Sequence, residues 1–334
     1  MQNVLTAALQ ARATLLEKLH AEGTNCYRLF HGVVEGKPGL TIDRYNSLVL
    51  VQTFREPLSS GELEELEKLL REKLSFAFVF AYNHRGKTAV QSFEQWHQPQ
   101  TDALVDIHAQ EFGLNYLIKA RHQGIDPWLF LDMRAGRRFV RQHAKGLSVL
   151  NLFSYTCSVG LTAAAAGANE VWNVDFAASN LEVGRKNAQL NNVPENRLRY
   201  IEDDCLPIMR QLAGLPAGGR YTQAKKFQKL DPREFDLVFL DPPAWSKGPF
   251  GAVDVVGDYQ SLFKAAVLAT KSGGGRVIAT NHVASADIKS FIDVLTRCAT
   301  KAGRPLLSTE VITPESDFPS YDGNPPLKIV VCEV

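Results

Sequence analysis

Apolar residues at Leu5, Ala8, Leu9, Leu15, Leu16 and Leu19 recur close to helical spacing, and Gly23 follows the last of them. The spacing predicts one helix over 4–22 with a single buried face. Three short apolar runs follow at 26–30, 39–43 and 47–54, broken by Gly36-Lys-Pro-Gly39 and Tyr45-Asn-Ser47. Runs of that length between Gly, Pro and Asn punctuation read as strands of a meander. A charged amphipathic stretch at 62–73 reads as a second helix and 76–82 as another strand, which together make a small α+β domain.

A polar, Gln-rich stretch at 91–101 then interrupts the pattern, and the boundary is expected between 100 and 125. This gives a small N-terminal domain over 1–110 and a larger one over 120–334. In the larger one the rhythm changes: strands at 147–152, 170–174, 197–202, 235–240 and 275–280 alternate with helices at 162–166, 178–191, 259–270 and 286–302. Alternation at that pitch predicts a parallel sheet with helices on both faces. Two last strands, 308–313 and 327–333, are expected as an antiparallel pair at one edge. Residues 214–233 show no apolar period and read as a surface insertion, and no internal repeat is found.

Ligands of open α/β sheets bind beyond the carboxyl ends of the strands, so the residues after each strand carry the chemistry. The first strand leads into Asn151-Leu-Phe-Ser-Tyr-Thr-Cys-Ser-Val-Gly160, small and hydroxyl residues before a helix whose first amides can meet an anionic group. The second ends in Val174-Asp175, where a carboxylate can accept both hydroxyls of a ribose. The third is followed by Asp203-Asp204-Cys205, a carboxylate placed for an adenine amino group, and the fourth by Asp241-Pro-Pro243 with Trp245 close behind. Consecutive prolines fix two φ angles and remove two N–H donors, leaving a carboxylate and carbonyls to accept from an amino group beside a ring that can stack on a base. Singly, Asp175 and Asp204 are as well explained by helix caps and the Asp-Pro-Pro by a turn. Their succession at consecutive strand ends points to one site.

Composition narrows the field. With 45% hydrophobic and 22% charged residues, 24 Gly and 16 Pro, the chain is of the soluble globular class, not disordered, collagen-like or coiled-coil. Lys plus Arg number 37 against 36 Asp plus Glu, a formal charge of +1, so any nucleic-acid contact must come from a local patch. Candidates are Arg134, Arg137, Arg138, Arg141 and Lys145 along one helix, with Lys225, Lys226 and Lys229 in the insertion; a solvated helix face explains them equally simply. The widely spaced cysteines Cys26, Cys157, Cys205, Cys298 and Cys332 argue against a disulfide scaffold and for a reducing cytoplasm, and Cys157 and Cys205 read as small, semi-buried fillers. No His–Cys cluster has metal-ligand spacing, so no metal is expected. No signal peptide is read, and the most apolar window, 148–168, is broken by Asn151, Ser154, Tyr155, Thr156 and Gly160, as befits a strand, turn and helix rather than a membrane span.

Phe130-Leu-Asp-Met-Arg-Ala-Gly-Arg-Arg138, Asn151-Leu-Phe-Ser-Tyr-Thr156, Val174-Asp175, Asn187-Ala-Gln-Leu-Asn191, Asp204 and Asp241-Pro-Pro-Ala-Trp-Ser246 together resemble the class I S-adenosylmethionine-dependent methyltransferases of bacterial 23S ribosomal RNA. Tyr27-Arg-Leu-Phe30 and Gly39-Leu-Thr-Ile-Asp-Arg-Tyr45 are similar to the small domain that precedes catalysis in that family. The resemblance implies an α/β fold, a Rossmann-like seven-stranded methyltransferase domain preceded by a small α+β domain. It implies that Phe153, Ser154, Tyr155 and Thr156 hold the methionine part of S-adenosylmethionine, Asp175 the ribose and Asp204 the adenine amino group. Asp241, Pro242 and Pro243 would face the transferred methyl and the target base. Phe130, Asp132 and Arg134 would line the cofactor pocket, with Trp245, Arg138 and Arg141 on the substrate side. Many relatives begin with a PUA-type RNA-binding domain, where this chain has the predicted helix, so RNA contact would fall to the small domain and to local charge.

The target atom follows from a departure. Relatives that methylate cytosine at carbon 5 use a thiolate that adds to carbon 6, because the target carbon is not nucleophilic until the ring is activated. The matching segment here is Thr280-Asn281-His282, without cysteine and closer to the Asn-Asn of guanine-methylating relatives. A nitrogen already carries a lone pair, so positioning and desolvation suffice. The expectation is methylation of a nucleobase nitrogen, guanine favoured, in 23S ribosomal RNA or a large-subunit particle. Asn281 or His282 would orient the base and His282 could accept a proton. The alternatives are a methyltransferase of a protein or small molecule, a cytosine carbon-5 enzyme, and a catalytically silent RNA-binding factor. A nicotinamide dehydrogenase lacks its glycine fingerprint.

Overall fold

A computed structural model describes residues 1–85, 95–98, 107–120, 127–217, 228–243, 245–248, 251–283 and 286–334, without the side chains of 95–98, 245–248 and 251–258. The chain divides into two units, Met1–Asp132 with Glu315–Gly323, and Met133–Pro314 with Asn324–Val334. The division falls later than the expected 100–125 and than the 110 and 120 limits drawn from it, for a local reason given below.

The first unit opens with α1 (Gln2–Ala21), whose buried face carries Leu5, Ala8 and Leu19. Then come β1 (Cys26–Phe30), β2 (Leu40–Tyr45), β3 (Leu48–Thr53), α2 (Ser60–Lys73), β4 (Val79–His84) and β5 (Gln95–Gln98). They form one sheet in the order β1-β2-β3-β4-β5. β3 and β4 are parallel with α2 as their crossover, and the other pairs are antiparallel. A reciprocal capping box between Ser59 and Glu62 starts α2. Within the Gln-rich stretch, residues 95–98 therefore supply the edge strand of this sheet. The hairpin of β6 (Ile107–Glu111) and β7 (Leu114–Ile118) stays with this unit because its backbone bonds to Thr24 and Asn25. The Asn25 amide donates to the Gln110 carbonyl at 2.9 Å, the Gln110 amide to Asn25 Oδ1 at 2.7 Å and the Phe112 amide to Thr24 Oγ1 at 2.9 Å.

The second unit runs α3 (Arg134–His143), β8 (Ser148–Leu152), α4 (Ser158–Ala165), β9 (Glu170–Asp175), α5 (Ala178–Leu190), β10 (Leu198–Glu202), α6 (Cys205–Leu212), β11 (Leu237–Leu240), β12 (Trp245–Gly248), β13 (Gly251–Asp254), α7 (Val255–Leu268), β14 (Arg276–Asn281), α8 (Ile288–Lys301), β15 (Ser308–Ile312) and β16 (Lys328–Glu333). Its seven-stranded sheet has the order β10-β9-β8-β11-β14-β16-β15, as the Rossmann-like reading anticipates. The first five strands are parallel; β16 lies antiparallel between β14 and the edge strand β15. The run of the chain reverses between β8 and β11, which opens a crevice at their carboxyl ends. Central strands are buried on both faces, β11 at all four residues, which is why they read as unbroken apolar runs. α6 was not anticipated, although its buried Cys205, Ile208, Met209 and Leu212 fall at helical spacing; the sequence of the β12–β13 hairpin carries no periodic signal. Among the described residues no helix is long and apolar enough to cross a membrane.

Candidate active site

The turn after β8 is built from alternating left-handed residues: Phe153 (φ 55°), Tyr155 (φ 48°) and Cys157 (φ 61°). Non-glycine residues pay roughly 1–2 kcal/mol each for that conformation, so it persists only where the surroundings over-determine it. Here the amides are pinned one after another. Phe153 N–H donates to Cys205 Sγ at 3.1 Å, Ser154 N–H to the Val174 carbonyl at 2.9 Å and Tyr155 N–H to Asp175 Oδ2 at 2.8 Å. Behind the turn, Asn151 Nδ2 donates to Asn173 Oδ1 at 2.9 Å, and Gly160 of α4 packs so tightly on Asn173 that a Cβ there would overlap the amide. The turn is held rigid by β9 and α6, with Ser154 and Thr156 buried.

Two carboxylates stand at neighbouring strand ends. Asp175 is buried and accepts from the Tyr155 amide (2.8 Å), the Ala177 amide (2.9 Å) and Asn180 Nδ2 (3.4 Å). Burial raises its pKa above the ordinary aspartate value, while those hydrogen bonds pull the other way. Asp204 caps α6, its Oδ1 accepting from the Leu206 amide at 2.9 Å. The cap reading of Asp204 is therefore correct as far as one oxygen goes. Its pKa is also raised, first by burial and further by the neighbouring Asp203 charge.

The third group lies across the reversal point, where β11 and β14 run side by side. Asp241 follows β11, and its Oδ1 meets both His282 Nε2, at 2.9 Å, and the Thr280 hydroxyl. Tyr259 of α7 donates to the Thr280 carbonyl at 2.9 Å. Asn281, the last residue of β14, turns its Oδ1 back to accept the Val283 amide at 2.7 Å. Pro242 is buried and Pro243 half-buried.

The structure thus brings together Asp241 and His282, and separately Tyr155 and Asp175. Arg134 is fully buried at the start of α3. Arg137 is equally buried, with Nη1 3.5 Å from Ser158 Oγ, so the cationic stripe is not one solvated face. Of that stripe Arg138 is half-buried, and Arg141 and Lys145 are exposed. Phe130 and Asp132 belong to the first unit. The Trp245 side chain, and Lys225 and Lys226 of the insertion, lie outside the described residues. Cys157 and Cys205 are buried thiols whose pKa is raised by burial, Cys157 to about 12. Sequence reasoning missed Thr280 and Tyr259, and also Phe176, an aromatic ring 44% exposed directly after Asp175. A large apolar residue just past an acidic strand end was the available signal for the last. It also undervalued Cys205, which accepts the Phe153 amide and donates to the Val174 carbonyl.

Residues 27–332 match the family described as S-adenosylmethionine-dependent methyltransferase. The chain is 31% identical over 302 residues to the Bacillus subtilis "Putative ribosomal RNA large subunit methyltransferase YwbD", covering 86% of this chain and 69% of that one. It is 25% identical over 322 residues to the Escherichia coli ribosomal RNA large subunit methyltransferase I, covering 94% of this chain and 76% of the relative. A solved Streptococcus mutans structure, "A putative sam-dependent methyltransferase", shares the fold with a TM-score of 0.79 at 21% identity, over 99% of this chain and 80% of that one.

Proposed function

We propose, on the premise that the chain belongs to the S-adenosylmethionine-dependent methyltransferase family, that it methylates a nucleobase nitrogen, of guanine, in large-subunit ribosomal RNA. The relatives named above support the RNA substrate, since their names assign them to that RNA. The observation that carries the choice of nitrogen is His282 Nε2 against Asp241 Oδ1 at 2.9 Å, where carbon-5 chemistry would need a thiol.

The residues present suit the cofactor: a buried carboxylate at the end of β9, a second at the end of β10, and an exposed ring at Phe176 able to stack on a planar base. Asp175 would accept the ribose hydroxyls, Asp204 the adenine amino group, and the turn 153–156 would hold the methionine part. Arg134 would pair its carboxylate. When bound, S-adenosylmethionine supplies a methyl on a sulfonium, which a nitrogen lone pair takes as the carbon–sulfur electron pair returns to sulfur. The chain's own part is then to position the base and remove a proton. Asp241 and the rigid Pro242-Pro243 turn accept from the base amino group. With Nε2 donating to Asp241, the neutral His282 ring carries its lone pair on Nδ1, which takes the proton that the methylated nitrogen sheds. The Asp241 carboxylate stabilises the imidazolium so formed.

RNA contact is assigned to Arg138 and Arg141 on α3, to Trp245, and to the small unit, where Arg85 lies over the ring of exposed Phe54 at 5.5 Å from its centroid. Nucleoside mass spectrometry of ribosomal RNA from cells with and without the gene tests the reading, followed by labelled S-adenosylmethionine and purified protein on the deficient RNA. The expected result is loss and restoration of one methylated guanosine. A lost 5-methylcytidine would overturn the nitrogen assignment, and an unchanged nucleoside profile would overturn the RNA substrate.

A further inference from the structure

Lys328 opens β16 in register with Asn281 of β14, which places it beside the end of the strand that presents His282. It is 1% exposed. Its Nζ donates to the Val283 carbonyl at 2.7 Å and to the Pro326 carbonyl at 3.2 Å. The Val283 amide is in turn held by Asn281 Oδ1 at 2.7 Å, and its carbonyl also accepts the Ala286 amide at 3.1 Å. His282 lies between these anchors, so the backbone on its carboxyl side is tied both to its own strand and to the neighbouring one. Taking an ammonium out of water is costly, and an apolar side chain of similar volume often serves stability as well. A lysine kept among the buried positions of β16 therefore calls for a role other than packing.

We propose that Lys328 is a positioning residue for the methyl-transfer site: its ammonium fixes the Val283 peptide and thereby aims the His282 ring at Asp241. The inference rests on the His282–Asp241 reading given above. It predicts that Lys328 acts on turnover through His282 and leaves the cofactor residues on β9 and β10 untouched.

The test is a double-mutant cycle with Lys328→Met, His282→Ala and the double variant, in the full chain. Turnover is measured with labelled S-adenosylmethionine on ribosomal RNA from cells lacking the gene, and cofactor affinity by calorimetry. Lys328→Met is expected to lower kcat about tenfold at near-constant cofactor Kd, and to cost nothing further in the His282→Ala background. Lys328→Gln, which keeps an N–H donor, is expected to recover part of the loss. If Lys328→Met fails to fold, the same cycle run with Lys328→Gln decides. Unchanged kcat, or losses that multiply in full with those of His282→Ala, would overturn the positioning role while the His282 reading stands. If His282→Ala alone leaves kcat unchanged, that reading fails and this inference with it.

Discussion

Asp175 is asked to do two things that conflict. As an ionised carboxylate it accepts from the Tyr155 amide of the turn and from the Ala177 amide that follows its own strand, and can accept from a ribose, yet burial raises its pKa. An acid with a raised folded-state pKa binds more protons folded than unfolded between the two values. Its ionisation therefore costs stability as pH rises through that window. Cofactor affinity has the opposite dependence: it should fall as pH drops through the raised pKa, beginning at higher pH than an exposed aspartate would allow. Calorimetric Kd against pH checks this, and Asp175→Asn should remove the slope while weakening binding at neutral pH by roughly 1.5–3 kcal/mol. A second residue-scale expectation concerns thiols. All five cysteines are buried, and burial raises Cys157 and Cys205. RNA carrying 5-fluorocytidine should therefore form no denaturation-resistant adduct, readable on a gel. At this scale the strand-end acids and the missing cysteine were legible because each sits at a position fixed by strand periodicity. The Thr280 hydroxyl and the Lys328 ammonium were not, because their roles depend on strands paired across the sheet.

At the scale of elements, the close approach of α4 to β9 positions the turn, and Gly160 permits it. An added methyl would stand 2.8 Å from Asn173 Cγ and overlap its amide oxygen, in a buried pair already committed to Asn151. Gly160→Ala should cost roughly 1–3 kcal/mol through overpacking, seen as a lower urea midpoint at unchanged slope, and should weaken cofactor binding because the turn is pinned to β9. The central parallel strands were legible in the sequence because burial on both faces makes them mostly apolar, β11 without a break, while the half-buried β10 was placed by the strand–helix alternation. β5 was not: Gln95-Trp-His-Gln98 is a polar edge strand, which reads as loop. α6 was lost for another reason, being a short helix with Pro207 inside it. On α3 the arginine spacing suits a phosphate-contacting or a solvated face equally, whereas Arg134 and Arg137 are fully buried; charge alone does not reveal which side of a helix faces the protein.

The whole molecule is threaded in a way no local pattern announces: the chain leaves the first unit after Asp132, returns to it at Glu315 and leaves again after Gly323. A polar segment between two strands reads as a loop, and nothing in its composition says which unit it rejoins. Within the first unit the returning segment is tied to β1. Asp317 is completely buried and its Oδ2 accepts the Arg28 amide at 3.1 Å. The Arg28 guanidinium forks onto Asp43 at 2.8 and 3.0 Å and lies over the Phe318 ring, 4.4 Å from its centroid. Removing the Asp317 carboxylate would strand a donor on a largely buried strand, at roughly 1–3 kcal/mol. Asp317→Ala should therefore lower the hydrogen-exchange protection of β1 and β2 amides, although it lies in sequence beside the last strands of the other unit. Amides of β8 and β11 should keep theirs if the two units open separately. A uniform loss across both sheets would instead mean that they unfold as one cooperative body, and the returning segment would then bear on the stability of the methyltransferase sheet as well.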